Sequence, residues 1–110
     1  MMTMQAADAT RTPQELTEAL QDVLDPEYPI SVVDLGLIRG VSVEGRAARI
    51  KLTYTCMGCP AMEMIQDDVR ERLLQVEGID RVDIEVVWDQ WTRRDISQRG
   101  LIQLRGVGVI

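Results

Sequence analysis

Three consecutive stretches of the chain switch hydrophobic period, and that switch limits the folds open to it. From Arg49 to Thr55 apolar residues alternate, with Ile50, Leu52 and Tyr54 on one face. From Pro60 to Val76 they recur at three- and four-residue spacing, as Met62, Ile65, Val69, Leu73 and Val76. From Val82 to Trp88 they alternate again, with Val82, Ile84, Val86 and Trp88 set against Asp83, Glu85 and Val87. Period two marks a half-buried strand, and a period near 3.6 marks an amphipathic helix. The order here is therefore strand, helix, strand, with Glu63, Asp67, Arg70, Glu71 and Gln75 on the wet side of the helix and Gly78 as its stop.

The flanks extend this pattern. Thr12-Pro13-Gln14-Glu15 is a helix start: Thr12 caps, Pro13 needs no N–H partner in the first turn, and Glu15 completes a capping box. Leu16, Ala19, Leu20, Val23 and Leu24 form the apolar stripe, and Asp25-Pro26 ends the helix. Glu27 to Gly36 reads as a loop with a short extended piece at Ile30–Val33. Val41 and Val43 alternate with polar residues up to a tight turn at Glu44-Gly45, which gives a hairpin of strands near 37–43 and 47–55. Thr92 to Leu104 reads as a short helix before a Gly-broken end. Residues 1–11 read as a flexible arm and 12–110 as one domain. The fold class is α+β, in the order α-β-β-α-β-α, with a three-stranded sheet backed by helices. In that arrangement Trp88 belongs to the core, Met62 and Met64 fill it, and Trp91 packs under the C-terminal helix or lines a partner surface.

Composition removes several functions. The chain has no histidine, so serine-triad and HExxH chemistry are excluded within it. Twelve basic against eighteen acidic residues give a formal charge of −6, which argues against nucleic-acid binding. No apolar stretch reaches the roughly 20 residues that span a membrane, and Met1 to Thr10 lacks the regions of a signal peptide. The expectation is a cytoplasmic protein whose two cysteines are free thiols or metal ligands.

Those cysteines stand together in Cys56-Met57-Gly58-Cys59-Pro60, between the second strand and the second helix. Pro60 suits the first helical position, which makes Cys59 the cap residue, at the positive end of the helix dipole. A thiol so placed has a lowered pKa and more of the thiolate that attacks or binds metal. Gly58 permits a sharp turn and close approach of a ligand. A structural zinc site or an iron–sulfur cluster wants four ligands, and one chain offers two thiolates and no imidazole. Two chains meeting at these loops supply four, so a dimer-bridging cluster is open, as is a weak site of one thiol with a carboxylate such as Asp34 or Asp25. Both acids also suit turn and cap chemistry, and both cysteines also suit a small buried hydrophobe. Strand–CxxC–helix is equally the context of a thiol–disulfide oxidoreductase. Such enzymes place a cis-proline late in the fold, whereas the prolines here are Pro13, Pro26, Pro29 and Pro60.

Four ordered motifs go further. Asp25-Pro26-Glu27-Tyr28-Pro29, Ser31-Val32-Val33-Asp34-Leu35-Gly36-Leu37-Ile38, Gly58-Cys59-Pro60-Ala61-Met62, and Trp88 with Trp91-Thr92 and Ile96-Ser97 resemble the iron–sulfur cluster assembly (FSCA) domain family. That family includes SufT and the PaaD proteins, and the wording is most similar to the PaaD branch over about residues 13–108. The resemblance implies a non-catalytic factor that assists assembly of iron–sulfur clusters or their delivery to client proteins, in the PaaD branch an oxygenase system. It places the reactive cysteine at Cys59, the acids at Asp25, Glu27 and Asp34, and the threonine before the cysteine loop at Thr55. Cys56 stands where relatives often carry Ser, Ala or Thr, and the cysteine-rich tail common in the PaaD branch has no counterpart up to Ile110. The expected cargo is a transient or dimer-bridging iron–sulfur cluster held by Cys59 and Cys56. Client iron–sulfur or oxygenase-component proteins and a second copy are the expected partners. A thiol–disulfide oxidoreductase and a metal-free adaptor stand as alternatives.

Overall fold

Thr12 and Glu15 close the capping box that their spacing predicts. The Glu15 amide donates to Thr12 Oγ1 at 3.1 Å, and the Thr12 amide donates to Glu15 Oε1 at 3.0 Å. The computed structural model describes residues 11–55 and 61–108. Residues 1–10 of the expected arm 1–11, the residues Cys56 to Pro60 and the last two residues lie outside the described residues. Arg11, the last of that arm, pairs with Glu15 at 3.0 Å and donates to the Glu77 carbonyl at 2.6 Å. Helix α1, Pro13–Ala19, continues into a 3-10 turn at Leu20–Asp22 and buries Leu16 and Leu20. It stops before the expected Asp25-Pro26 boundary because Val23 is already extended (φ −93°, ψ 115°). Side chains alternate in extended chain, so Val23 points inward while Leu24, expected in the apolar stripe, is 54% exposed. Leu24 instead bridges Ser31 across an antiparallel pair of loop segments.

The hairpin comprises β1, Ile38–Glu44, and β2, Ala47–Leu52, joined by a two-residue turn in which Gly45 takes φ 61°. The third strand, β3, Arg81–Val86, pairs parallel to β2, so the sheet order is β1-β2-β3. Helix α2, Ala61–Leu74, is the crossover between the two parallel strands. Register sets Val41 beside Ile50 and Ile50 beside Ile84, and Ala48, Ile50 and Leu52 are fully buried beneath the helices. From α2 they meet Ile65, Val69 and Leu73. Met62 and Val76 are partly buried against the same core, and Gly78 (φ 94°) turns the chain after the helix. Met64 is not core filler: one residue from Ile65, it is rotated about 100° off the buried stripe and is 55% exposed.

Trp88 also departs from expectation. It is 71% exposed rather than core. The pairing partner β2 ends at Leu52, opposite Val86, and the last bond of the ladder runs from the Val87 amide to the Leu52 carbonyl at 2.9 Å. Past that point no neighbouring strand holds the alternation to a face. The expected helix from Thr92 is two elements. A 3-10 turn, Arg93–Asp95, carries its own Thr92–Asp95 capping box, and α3 spans Gln98–Gly106. Ile96 is extended between them, and Ser97 caps α3 by accepting from the Gly100 amide at 2.9 Å.

The loop from Asp25 to Leu37 is locked to this C-terminal segment at close range. Gly36 has φ 87°, and a Cβ there would collide with the Asp95 backbone and side chain. Gly36→Ala therefore combines left-handed strain with overpacking, and a loss of about 2 kcal/mol or more is expected in urea unfolding. A loss under about 0.5 kcal/mol would show that this contact yields freely.

Candidate functional site

β2 and β3 are parallel, so their carboxyl ends and the amino end of β1 lie at one edge of the sheet. In open α/β arrangements that edge is where ligands bind. The chain leaves β2 through Thr53, Tyr54 and Thr55 and re-enters the described residues at Ala61, the first residue of α2. Two bonds fix this exit. The Thr53 amide donates to the Leu37 carbonyl at 2.9 Å, and its hydroxyl donates to the Asp89 carbonyl at 2.8 Å. Thr55 is half-buried just beyond. The exposed indole of Trp88 stands on the neighbouring β3 exit, next to the tethered Asp89.

Asp25 and Glu27 lie on a turn joined to the same region through aromatic residues. Asp25 is buried, and its Oδ1 accepts from the Glu27 amide at 2.7 Å and the Tyr28 amide at 3.0 Å, while Glu27 is exposed. The Tyr28 ring tilts against that of Trp91, centroids 5.8 Å apart. Trp91 donates its indole N–H to the Leu35 carbonyl at 2.7 Å. Of the two roles open to Trp91, the structure gives it packing, beneath the loop that carries the acids.

Asp34 makes a denser set of contacts. Oδ1 accepts from Ser97 Oγ at 2.8 Å. Oδ2 accepts from Arg99 Nη2 at 2.7 Å and Nε at 3.1 Å, and from Ser31 Oγ at 3.2 Å. Its own amide donates to Ser31 Oγ, its carbonyl accepts from the Ser97 amide, and Arg99 reaches on to Gln21 at 2.6 Å. Burial pushes the Asp34 carboxyl up. The hydrogen bonds from Arg99, Ser97 and Ser31, with the guanidinium charge, outweigh that and hold it below the usual aspartate value. The spacing Ser31-x-x-Asp34 is a local turn signal that the sequence displays. Arg99, more than sixty residues away, and Thr53 carry no such signal, and Ser97, though part of the Ile96-Ser97 motif, carries no local sign of its bond to Asp34.

Cys56, Gly58 and Cys59 lie outside the described residues. Among the described residues no group of three acidic or thiol side chains is placed to hold a metal ion. Tyr54, at the entrance to that segment, has a buried hydroxyl that makes no well-formed hydrogen bond among the described residues. Burial pushes its phenol up, against a weaker opposing pull from the Gln66 side chain.

Comparisons with known proteins bear on the whole arrangement. The model of a family described as iron-sulfur cluster assembly protein matches residues 13–86. A Fe-S protein maturation auxiliary factor of Porphyromonas gingivalis is 32% identical over 96 residues, 86% of this chain and 91% of that protein. A putative 1,2-phenylacetyl-CoA epoxidase component of Escherichia coli is 31% identical over 97 residues, 86% of this chain and 58% of that one. The crystal structure of a domain of unknown function, DUF59, from Bacillus anthracis matches with a TM-score of 0.79 at 32% identity, covering 84% of this chain and 91% of that one.

The Asp34 contacts have a consequence in acid. Asp34 has a depressed folded-state pKa, so its contribution to stability is complete above the unfolded value of about 3.9 and is lost as pH falls through the folded value. Asp34→Asn should thus lose less stability than wild type between about pH 5 and about pH 3, and Asp34→Ala should cost about 2–3 kcal/mol at neutral pH. An identical acid profile for wild type and Asp34→Asn in urea unfolding would contradict this. Tyr54→Phe removes a hydroxyl with no well-formed hydrogen bond among the described residues, and its stability should stay within about 0.5 kcal/mol of wild type or rise.

Proposed function

The chain belongs to the iron-sulfur cluster assembly protein family, and from that premise we propose that it is a maturation factor, not itself an enzyme, that takes up an iron–sulfur cluster as cargo and passes it to client proteins. The observation that carries the reading is where its two cysteines fall. Cys56 and Cys59 occupy the connection from the carboxyl end of β2 to the start of α2, inside the family-matched residues 13–86.

Cys59 is the essential thiolate and Cys56 the second ligand, with Thr55 and Gly58 shaping the approach. Asp25 and Glu27 are supporting acids, carried on the turn that Tyr28 and Trp91 hold in place. Asp34 contributes from further back, by fixing α3 and the loop against each other. Two thiols per chain leave a four-ligand cluster incomplete. The missing ligands come from a second copy while the cluster is held and from the client when it leaves. Such a site favours transfer over retention. Relatives named as maturation auxiliary factors and cluster carriers support this reading. The relative named as part of an epoxidase supports an oxygenase component as one client class. The place of action is the cytoplasm. Among the described residues no helix is long and apolar enough to cross a membrane.

Anaerobic incubation with ferrous iron and sulfide, read by visible absorbance and by iron and sulfide content, tests the proposal. Wild type is expected to acquire both, and Cys59→Ser to lose most of that capacity and to fail in maturing an iron–sulfur client. Equal loading and equal client maturation by the two proteins would overturn the cysteine-based mechanism. Client activation that survives loss of both cysteines would establish a metal-free adaptor instead.

A further inference from the structure

The face of the sheet turned away from the helices holds a groove of about 580 Å³. Its walls mix the apolar residues Val41, Ile50 and Ile84 with charged side chains, and those charges are unevenly arranged. On β3, Asp83 and Glu85 stand on this face beside Arg81, which pairs with Asp83 at 3.2 Å. On β2, Arg49 and Lys51 stand directly across from those acids in register, yet among the described residues neither is in an ion pair. Lys51 leans the other way. A Cβ on Gly40 would meet the Lys51 side chain at 3.2–3.4 Å, so the lysine stem lies over Gly40 of β1. The strip between β1 and β2 thus carries Arg39, Gly40, Ser42, Arg49 and Lys51, and no acid until Glu44 at the turn. Arg39 adds a second feature. One end of its guanidinium pairs with Asp95 at 3.0 Å, while its Nε–H is buried without a partner among the described residues.

We propose that this strip is a docking groove for an extended acidic segment of a partner protein, laid along β1 and β2. Three properties fit that occupant. Arg49 and Lys51 are two residues apart on a strand, about 6.6–6.8 Å, the same repeat at which alternate side chains of an extended peptide project. Ser42 is small and leaves the strip low beside Arg49, so a backbone can approach there. The cations stand on a chain whose net charge is −6, which repels acidic segments elsewhere and so favours this one register. The same net charge opposes a long polyanion such as a nucleic acid. The groove does not depend on the thiols, so it and the cluster reading can fail separately.

The test is a titration of the isotopically labelled full chain, at low salt, with a short peptide alternating Glu and Thr, followed by amide chemical shifts. Saturable shifts confined to β1 and β2 are expected, weakening as salt is raised. The double variant Arg49→Glu/Lys51→Glu should weaken binding about tenfold or more, and the neutral pair Arg49→Gln/Lys51→Gln should fall between. Cys59→Ser should bind as wild type does, and a peptide with Lys in place of Glu should not bind. Absence of saturable shifts, undiminished binding by both double variants, or inorganic phosphate binding as tightly at the same amides would each overturn the proposal.

Discussion

The buried carboxylate of Asp34 is the contact on which the rest of this small structure depends. It joins three parts of the chain: the Ser31 turn, the end of the first helix through Gln21 and Arg99, and the capped start of α3. A buried carboxylate is costly unless its lone pairs are filled. Here each oxygen has donors, and the Arg99 guanidinium supplies charge from a side chain that is itself largely exposed. Removal of either side of this arrangement leaves the other unsatisfied, which makes it a cooperative junction rather than one bond among many.

From that junction the order of the site can be followed outward. The loop from Asp25 to Leu37 is held to the C-terminal segment by several contacts. Trp91 meets Tyr28 and the Leu35 carbonyl, Asp95 packs on Gly36, and Ser97 and Arg99 hold Asp34. Leu37 then accepts from Thr53, and Thr53 holds Asp89, so the exits of both parallel strands are tied to the same loop. The connection that carries Cys56 and Cys59 therefore starts from a fixed point. The exposed Trp88 stands on the adjacent exit. The outer face of the sheet, with its strip of cations, lies beyond this edge and meets the C-terminal segment through the Arg39–Asp95 pair.

Much of the fold was legible because it rests on local rules. The Thr12–Glu15 box, the turn at Gly45, the stripe Ile65–Val69–Leu73 and the alternation through Ile50 and Ile84 each depend on neighbours in sequence. The failures occurred where a partner element ends. Trp88 continues the alternation of β3 in sequence, but β2 gives it no neighbour after Leu52. Leu24 continues a helical stripe after the backbone has become extended at Val23. In the proposed site, Cys56, Cys59, Asp25 and Glu27 came from short motifs and the family resemblance. The groups that position the acids and the strand exit, Ser97, Arg99, Trp91 and Thr53, act across dozens of residues. No period or spacing encodes those contacts. Asp34 was visible as an acid in a turn, while its function as a junction required the positions of its donors.

The central claim is that the thiols at the β2–α2 connection take up the cluster cargo. Mass-spectrometric mapping of thiol alkylation, on the free chain and after anaerobic loading with ferrous iron and sulfide, reads it at the atoms concerned. The account predicts that Cys59 alkylates rapidly in the free chain and that Cys59 and Cys56 are both protected once iron and sulfide are bound. Stoichiometric iron and sulfide with Cys59 still alkylated at its free rate would contradict it.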